Sequence, residues 1–492
     1  MPDSDVAALT RRYDVAVVGA GLTGLSTAVQ LARHGIRVIV LEARAIGAGT
    51  TGGSTAKISL LQGTRLSTIA AKHRTDTVAQ YVAGNGAGMD WLLDFCRSHG
   101  VAHQRPAAAT YAGAPTDVAD VEREQEVCES VGLPVSWRAT DDVRFPFHGA
   151  VVLEDQAQID PIELLTALAD AAREAGVEIV TGARVTAFGD SGAAPVVTTR
   201  GAVQAERVVL ATGIPVADRG GFFARLIPER SYGVALHTEG QQQMDMYLSA
   251  GSPTRSLRTT PDEDGHRILL GGNSHPVGKA VSERAQVRDL TAWAGEHFPE
   301  ATVTHEWSAQ DYHPIDELPY VGPLLPGSDR VLVATGYAKW GLTNACAAAT
   351  LLTAHLEQAE LPDWSPAFAS WSTHEIRGGG AALAHNAHAA ANMVGARAGG
   401  YARLAGEPEE GAGIVGRDGA RLVARARVDG HTYQLSADCP HLGGVLSWND
   451  AECTWDCSLH GSRFTAAGEL LEGPATTGMS AVGSATAPEA DQ

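Results

Sequence analysis

Basic residues are scarce in this sequence relative to acidic ones. Its 492 residues include 37 Lys and Arg against 57 Asp and Glu, which gives a formal net charge of −20. Nucleic acids and anionic membranes attract proteins through basic surfaces. The charge balance therefore disfavours both as partners, and solubility is the simplest explanation of the acidic excess.

Long apolar runs are also lacking. The sequence contains no run of about 18 apolar residues, the length that a membrane-spanning helix needs. It starts Met1-Pro-Asp-Ser-Asp, without the basic start and apolar stretch of a secretory signal peptide. We therefore expect a cytoplasmic protein with no membrane insertion.

Cysteine is rare in a chain long enough for about two to four domains. The six cysteines stand at positions 96, 128, 346, 439, 453 and 457. A chain of this length buries a sizeable core without disulfide or metal support. Three of the six lie close together near the C-terminal end, which favours a metal or redox site over a disulfide framework.

Residues 14–42 have the pattern of a dinucleotide-binding unit. A predicted strand at 14–18 leads into Gly19-Ala-Gly-Leu-Thr-Gly24, and a second strand at 37–41 ends in Glu42. One apolar helical face lies between them, formed by Leu22, Leu25, Val29 and Ala32. In such a unit the glycines make a tight turn, admit a pyrophosphate and let helix and strand pack closely. The phosphates would rest on the helix N-terminus, and Glu42 would accept a hydrogen bond from a ribose hydroxyl. The alternative is that the glycines serve only a turn.

The loop at residues 46–57 is too rich in glycine and hydroxyl groups for a core element. Its expected use is to run beneath a cofactor, and a flexible surface loop is the alternative. With the glycine fingerprint and Glu42, this TTG and TAK-containing loop resembles the FAD-dependent oxidoreductases of the D-amino-acid oxidase type, which include glycine and sarcosine oxidases. The resemblance implies an α/β, Rossmann-like FAD-binding domain with an antiparallel-sheet substrate domain.

The rest of this part follows the same resemblance. Residues 60–150 are expected to be mixed helix and loop, with a helix around 77–100, forming part of a substrate-side cap. Asp160 and Pro161 predict a helix start, and Gly176 predicts its end. Strands are expected at 177–180, 183–188 and 207–213, and an antiparallel sheet at 215–305 that covers the reactive face of the flavin.

A strand at 331–335 runs into a glycine turn, and Thr343 is expected to cap a helix that reaches about residue 355. In the resembled family this helix N-terminus stabilises the negative charge of the reduced flavin. A strand end for Thr212 and a packed aromatic for Trp340 are the alternatives. The predicted FAD-binding residues are Gly19, Gly21, Leu22, Thr23, Gly24, Glu42, Thr51, Ala56, Lys57, Val185, Thr212, Gly213, Gly336, Trp340, Gly341, Leu342 and Thr343.

A second motif lies near the C-terminal end, within a pattern of short strands and turns. Cys439 and His441 form one pair, and Cys457 and His460 form another. Two thiolates and two imidazoles on adjacent loops match a Rieske [2Fe-2S] centre, in which each loop gives one ligand to each iron. We identify a resemblance to the Rieske domain, a small all-β fold, and a Cys2His2 zinc site is the alternative.

Respiratory Rieske domains carry two further cysteines that form a disulfide beside the cluster. The matching positions in this sequence are Gly444 and Leu459, so the disulfide is absent. Phe464 replaces a tyrosine that often donates a hydrogen bond, while Ser462 is kept. We therefore expect a reduction potential below the top of the Rieske range. Cys453 has no ligand role in the pattern and is expected to pack.

The two resemblances predict the following organisation: FAD-binding parts at 12–80, 150–214 and 306–360, substrate parts at 81–149 and 215–305, a linker at 376–403, the Rieske domain at 404–483 and a disordered tail at 484–492. Together they imply an oxidoreductase that oxidises a small amine or amino-acid-like substrate and passes single electrons through the cluster to an external acceptor. The alternatives are an oxygen-using oxidase with a structural Rieske domain, a biosynthetic enzyme whose cluster receives electrons from an external donor, and a pure electron-transfer module. His275 and Lys339 are weak catalytic candidates.

Overall fold

We describe the protein from a computed structural model, and the described residues are 7–189, 194–216, 219–263, 265–372, 401–404 and 406–482. The chain forms two compact units, the first comprising residues 1–274 and 286–381 and the second comprising residues 275–285 and 382–492. Most of the predicted linker, and the predicted tail, lie outside the described residues. Within the described ranges, no helix combines the length and the apolar character that crossing a membrane requires.

The helices, in chain order, are α1 (Leu22–Arg33), α2 (Arg65–Ala70), α3 (Thr75–His99), α4 (Val118–Ser130), α5 (Pro161–Glu174), α6 (Phe222–Arg225), α7 (Glu283–His297) and α8 (Gly341–Glu357). The strands before residue 372 are β1 (Arg12–Val18), β2 (Val38–Leu41), β3 (Lys57–Ile58), β4 (His103–Gln104), β5 (Ala108–Tyr111), β6 (Ser136–Arg138), β7 (Ala150–Leu153), β8 (Ala157–Ile159), β9 (Glu178–Val180), β10 (Val185–Phe188), β11 (Val196–Thr198), β12 (Gly201–Leu210), β13 (Leu226–His237), β14 (Met246–Ser249), β15 (Arg255–Asp262), β16 (Gly265–Pro276), β17 (Thr302–Pro314), β18 (Tyr320–Pro323) and β19 (Val331–Thr335). The strands after residue 401 are β20 (Gly413–Asp418), β21 (Arg421–Val428), β22 (His431–Ser436), β23 (Leu446–Asn449), β24 (Thr454–Cys457), β25 (Arg463–Thr465) and β26 (Leu470–Glu472).

The nucleotide-type sheet of the first unit is parallel at its centre. Strand β1 lies between β12 and β2, and β12 also pairs in parallel with β19. All four residues of β2 are buried, as are Val15 and Val17 of β1. A parallel sheet buried on both faces brings the carboxyl ends of its strands to one edge, where α/β proteins bind ligands.

Two helices around this sheet show the apolar face and the capping residues that the sequence predicts. In α1, Leu22, Leu25 and Val29 are buried on one face. In α5, the Asp160 side chain accepts from Ile162 N at 2.7 Å, and proline occupies the first turn. This confirms the predicted helix start, because an Asn, Asp or Ser cap and a first-turn proline are both compatible with the unsatisfied N–H groups there.

A second sheet of eight strands has the order β17-β13-β16-β15-β14-β5-β7-β6. The prediction of an antiparallel sheet at 215–305 is confirmed by β13, β15 and β16. The prediction that residues 60–150 are only helix and loop is wrong, since β5, β6 and β7 extend this sheet. These strands have three or four residues each, and β5 and β7 are buried on both faces, so they show no alternation of apolar and polar residues.

After residue 401 the chain forms two small antiparallel sheets, β20-β21-β22 and β23-β24-β25-β26. Their apolar core includes Trp455 and Phe464, both fully buried, with Leu446 and Cys457 beside them. The predicted all-β pattern is confirmed, and β21 spans Arg421–Val428.

Candidate flavin and iron–sulfur sites

The glycine turn after β1 is too tight for side chains. Gly19 has a φ of +107°, and a Cβ on it would lie 2.5 Å from Ala211 O. A Cβ on Gly24 would lie 1.9 Å from Gly19 O. Helix α1 can therefore pack this closely against the turn only because residue 24 is glycine. The structure thus gives the first and third glycines the steric roles that the sequence predicts.

The N-terminus of α1 offers backbone donors to a ligand. Gly21 precedes the helix without any side-chain cap, and Leu22 N lies 3.3 Å from Thr51 Oγ1. Backbone N–H groups at such a terminus, together with the helix dipole, are suited to a pyrophosphate. The turn and the helix therefore fit the dinucleotide of FAD, and a Cβ on Gly21 would enter this space and approach Thr51.

Glu42 is held at the end of β2 by backbone donors. Ala20 N donates to its Oε2 and Arg44 N donates to its Oε1, each at 2.8 Å. Each carboxylate oxygen retains a lone pair that can accept from a ribose hydroxyl. The acid is thereby fixed beside the glycine turn, in the position that the sequence predicts for ribose binding.

The glycine-rich loop at 46–57 lies against strand β17. Trp307 Nε1 donates to Gly53 O at 2.8 Å, and Thr50 Oγ1 donates to Gln310 O at 2.5 Å. Ala56 adopts a φ of 50° at the end of the loop. Lys57 is buried and donates from Nζ to Tyr247 O at 2.7 Å and to Ser256 Oγ at 2.8 Å. Burial lowers the pKa of Lys57, and its ammonium is directed to the eight-stranded sheet.

The other predicted FAD-binding segments follow neighbouring strands. Thr212 and Gly213 follow β12, and Gly336 follows β19, which pairs with β12 in parallel. Thr335 Oγ1 donates to Gly213 O, which ties the two strand ends together. Val185 is buried and pairs with Thr198 in β10–β11, at the far end of the sheet.

The prediction that Thr343 caps a helix is wrong. Helix α8 begins at Gly341, after Trp340, so Thr343 lies inside its first turn. Thr343 Oγ1 instead donates to Asn85 Oδ1 of α3 at 2.5 Å. Trp340 has no side-chain cap to give, and the α8 N-terminus, including Leu342, keeps backbone donors that can face a flavin.

The loop before α8 brings together charged residues that the sequence reading missed. Ala338 and Lys339 both have positive φ, at 47° and 75°. Lys339 Nζ lies 2.9 Å from Glu229 Oε2, and Lys339 N donates to Asp311 Oδ2. Glu229 and Asp311 are 82 positions apart and meet only through the register of β13 and β17, so no local motif signals them.

The second weak catalytic candidate, His275, is placed differently. Its Nδ1 lies 2.9 Å from Pro276 O at the end of β16. That contact is made with the backbone of the next residue, so it is typical of a histidine that supports local structure. Lys339, in contrast, lies in a cluster of charged side chains.

The four predicted cluster ligands stand on two similar turns. Cys439 N donates to Gly444 O and Cys457 N donates to Ser462 O, both at 2.8 Å. Both cysteine side chains are buried. The rings of His441 and His460 lie 5.0 Å apart at 86°. The structure therefore brings together all four residues of the motif.

The thiols of Cys439 and Cys457 are in hydrogen-bond contact. A hydrogen bond from Cys457 lowers the pKa of Cys439 to about 7, while burial opposes that shift. The thiolate is the form that binds iron. Within the described ranges, no group of three or more His, Cys, Asp or Glu side chains could hold a metal ion. The contact between the two thiols and the contact between the two imidazoles match a two-iron cluster, in which the thiolates hold one iron and the imidazoles hold the other.

The residues around the motif explain its departures from the respiratory type. A Cβ on Gly444 would lie 2.6 Å from Leu459 Cδ1, so the leucine fills the space beside the missing side chain. Phe464 and Ser462 are fully buried, and Ser462 Oγ accepts from Ala475 N at 3.2 Å. Cys453 has a φ of 54° in the turn between β23 and β24. The residues present fit a Rieske cluster without a disulfide beside it.

These geometries agree with comparisons to known proteins. Residues 14–355 match the FAD dependent oxidoreductase family, and residues 405–483 match the Rieske [2Fe-2S] domain. The chain belongs to the FAD dependent oxidoreductase family and carries a C-terminal Rieske domain. It is therefore an FAD-dependent oxidoreductase, with FAD and a [2Fe-2S] cluster as its cofactors.

One relative resembles the chain over nearly its whole length. A Bacillus subtilis (strain 168) protein named as a Rieske 2Fe-2S iron-sulfur protein, YhfW, is 30% identical over 477 residues, which are 94% of this chain and 92% of the relative. The fold of the larger part is similar to glycine oxidase from Geobacillus kaustophilus, with a TM-score of 0.61, 21% identity, and coverage of 74% of this chain and 100% of that one. L-proline dehydrogenase from P. horikoshii gives a TM-score of 0.58 at 16% identity, covering 74% and 98% of the two chains.

Proposed function

We propose that the protein is a dehydrogenase that oxidises a small amine or amino acid at the flavin and exports the electrons singly through the Rieske cluster. The observation that carries this proposal is the joining of the two cofactor-binding parts in one chain. FAD accepts two electrons as a hydride, and a [2Fe-2S] cluster accepts one at a time. The names of the structural neighbours, a glycine oxidase and an L-proline dehydrogenase, support a C–H bond next to nitrogen as the point of attack.

The reaction balances without a further co-reactant at the first site. The substrate carbon loses a hydride and its nitrogen loses a proton, which leaves an imine that water hydrolyses. Two electrons then leave in two single steps for an external one-electron acceptor. An amine transfers hydride only in its neutral form, so a substrate that binds as the ammonium first releases a proton to solvent, and the hydride transfer that follows needs no protein base.

The chain's own residues would hold the flavin at three places. The turn at 19–24 and the α1 N-terminus bind the pyrophosphate, and Glu42 accepts from the ribose. The α8 N-terminus stabilises negative charge on the ring, because its backbone N–H groups carry partial positive charge. The loops at 46–57 and 336–343 position the ring.

The residues of the Rieske part would hold the two irons and let electrons leave. Cys439 and Cys457 bind one iron, and His441 and His460 bind the other. His441 is half-buried and precedes the exposed Leu442, whose side chain is 44% exposed. Solvent access at this loop supports electron exit through the imidazole side of the cluster.

An anaerobic titration of the purified holoenzyme tests the proposal. Candidate amines and amino acids are added while flavin absorbance and the low-temperature EPR signal of a reduced Rieske cluster are followed. Because the flavin takes two electrons and the cluster one, full reduction should need about 1.5 substrate molecules per chain. Flavin bleaching followed by growth of the cluster signal supports the proposal. A flavin that bleaches while the loaded cluster stays oxidised would show that electrons do not leave by this route.

A further inference from the structure

Two carboxylates lie side by side where the loop before α8 meets the eight-stranded sheet. Glu229 of β13 and Asp311 of β17 are directly opposite each other in the antiparallel register. Side chains at such positions share one face of the sheet and interact strongly, and like charges there are unfavourable. Their juxtaposition therefore needs a compensating cation.

Lys339 forms an ion pair with Glu229, and its positive charge also favours the ionised form of Asp311. Its Nζ lies 2.9 Å from Glu229 Oε2, and Ser274 Oγ donates to the same oxygen at 3.1 Å. Asp311 receives the backbone N–H of Lys339, a donor without a full charge. When both acids are ionised, the two carboxylates and the one ammonium give this group of three side chains a net charge of −1.

A second basic neighbour, His313, is engaged by another acid. His313, two residues beyond Asp311, places Nε2 2.6 Å from Glu317 Oε2. Burial raises the pKa of Asp311, and the backbone N–H groups of Lys339 and Tyr312, together with the charges of Lys339 and His313, only partly oppose this. A carboxylate in this position gains stability from any cation that approaches it.

Asp311 also lies at the junction of the two loops predicted to position the flavin. The loop at 46–57 contacts Trp307 of β17 through Gly53 O, and the loop at 336–343 contacts Asp311 through Lys339. Residues separated by four along a strand share a face, so Trp307 and Asp311 present both contacts on the same side of β17. The Asp311 carboxylate is therefore part of the proposed reaction site.

We propose that Asp311 is a specificity-determining residue that binds the cationic nitrogen of an amine substrate lacking an α-carboxylate. This inference rests on the proposed function and narrows its substrate to amines. An amino acid would bring its own carboxylate against Asp311 and Glu229, where like charges repel. A simple amine brings only the charge that this face lacks.

Matched ligand pairs separate the two substrate classes. Butylamine and norvaline, and likewise 1,4-diaminobutane and ornithine, differ only by the α-carboxylate. Their anaerobic binding to the oxidised holoenzyme at pH 8 is measured from the perturbation of the flavin spectrum, and bleaching is followed in the same samples. The variants are Asp311→Asn, Asp311→Glu and, as a control, Glu306→Gln, an exposed acid on the same strand.

The proposal expects at least one amine to bind about ten-fold or more tightly than its amino-acid partner. Asp311→Asn should weaken that binding about ten-fold at unchanged FAD content, Asp311→Glu should restore most of it, and Glu306→Gln should match wild type. Tighter binding of the amino acids, binding indifferent to Asp311→Asn, or no perturbation by either amine overturns it. Bleaching that does not depend on Asp311 overturns this inference alone. Asp311-dependent binding without bleaching overturns the proposed oxidation and leaves the amine site standing.

Discussion

The cluster site and the flavin site differ in how their residues are distributed along the chain. The four cluster ligands fall within residues 439–460 on two similar turns. The predicted flavin residues extend from Gly19 to Thr343, and the segments that follow β1, β12 and β19 lie close together because these strands are neighbours in one parallel sheet. A site made of local turns is encoded by spacing, whereas a site assembled by a sheet is encoded mainly by backbone shape. The cluster site should therefore be lost when one ligand side chain is replaced. The flavin site should be lost when an added side chain prevents two backbone segments from approaching closely.

The same contrast appears in the buried charge clusters. Glu317 is contacted by its near neighbour His313 and by Arg65 and Lys72, which lie together in a stretch about 250 positions earlier in the chain. Arg463 is contacted by Asp456, Glu452 and Glu472, all within its own small sheet. One centre is a carboxylate that acid can neutralise, and the other is a guanidinium that keeps its charge at any ordinary pH.

Replacing Cys457 with serine should have the largest effect. A serine hydroxyl cannot replace the thiolate, so the variant should lose its bound iron, sulfide and EPR signal completely. FAD content should remain at the wild-type level, because no predicted flavin residue lies within 439–460. Iron analysis, EPR and flavin absorbance measure these quantities.

Cys453→Ser is the matched control, since Cys453 lies in the turn before β24 and has no predicted ligand role. This variant should retain both iron and FAD. Equal iron loss in the two variants would contradict the assignment of the ligands. Loss of FAD along with iron in Cys457→Ser would contradict the independence of the two sites.

Gly24→Ala should be the next most damaging change. Its Cβ would lie 1.9 Å from the backbone oxygen of Gly19, and because the Cβ is attached directly to the backbone of α1, neither atom can move away without opening the turn. We expect FAD content to fall about ten-fold or more, with the iron retained. The control is Gly86→Ala in α3, where a Cβ would meet nothing within 4 Å and alanine improves helix propensity. Normal FAD content in Gly24→Ala would show that the turn tolerates a side chain.

The sequence predicts those features that local chemistry controls. The glycine turn, the Asp160 cap and the two Cys and His pairs each combine a residue type with a fixed spacing. Their structural placement follows from steric exclusion, capping and metal-ligand chemistry, which act over a few residues. For the same reason, the sequence predicts that an α/β FAD-binding part comes first and a small all-β Rieske domain follows it.

The features that escaped prediction depend on distant partners. Strands β5 and β7 are short and doubly buried, so periodicity does not distinguish them from loops or helix segments. Thr343 has the chemistry of a cap, but Asn85 engages its hydroxyl instead. Glu229 and Asp311 meet through sheet register, which sequence spacing does not reveal.

The cluster around Glu317 predicts an effect on stability in acid that is smaller than the effects above. Burial raises the pKa of Glu317, but hydrogen bonds from His313 and Lys72 and the charge of Arg65 outweigh it and lower that pKa to about 2, from an ordinary 4.5. The folded state therefore gains stability from this group above pH 4.5, and loses it as the pH falls towards 2. By linkage the full contribution is on the order of 3 kcal/mol.

Glu317→Gln should therefore destabilise the flavin-binding unit at pH 7 by roughly that amount, as measured by urea unfolding followed through flavin release. Below pH 4.5 the difference from wild type should shrink, by about 1.4 kcal/mol per pH unit at most, because the wild-type carboxyl also becomes neutral. The exposed Glu306→Gln should follow wild type throughout. A deficit in Glu317→Gln that stays constant from pH 6 to pH 3 would mean that packing, and not the charge of Glu317, accounts for its contribution.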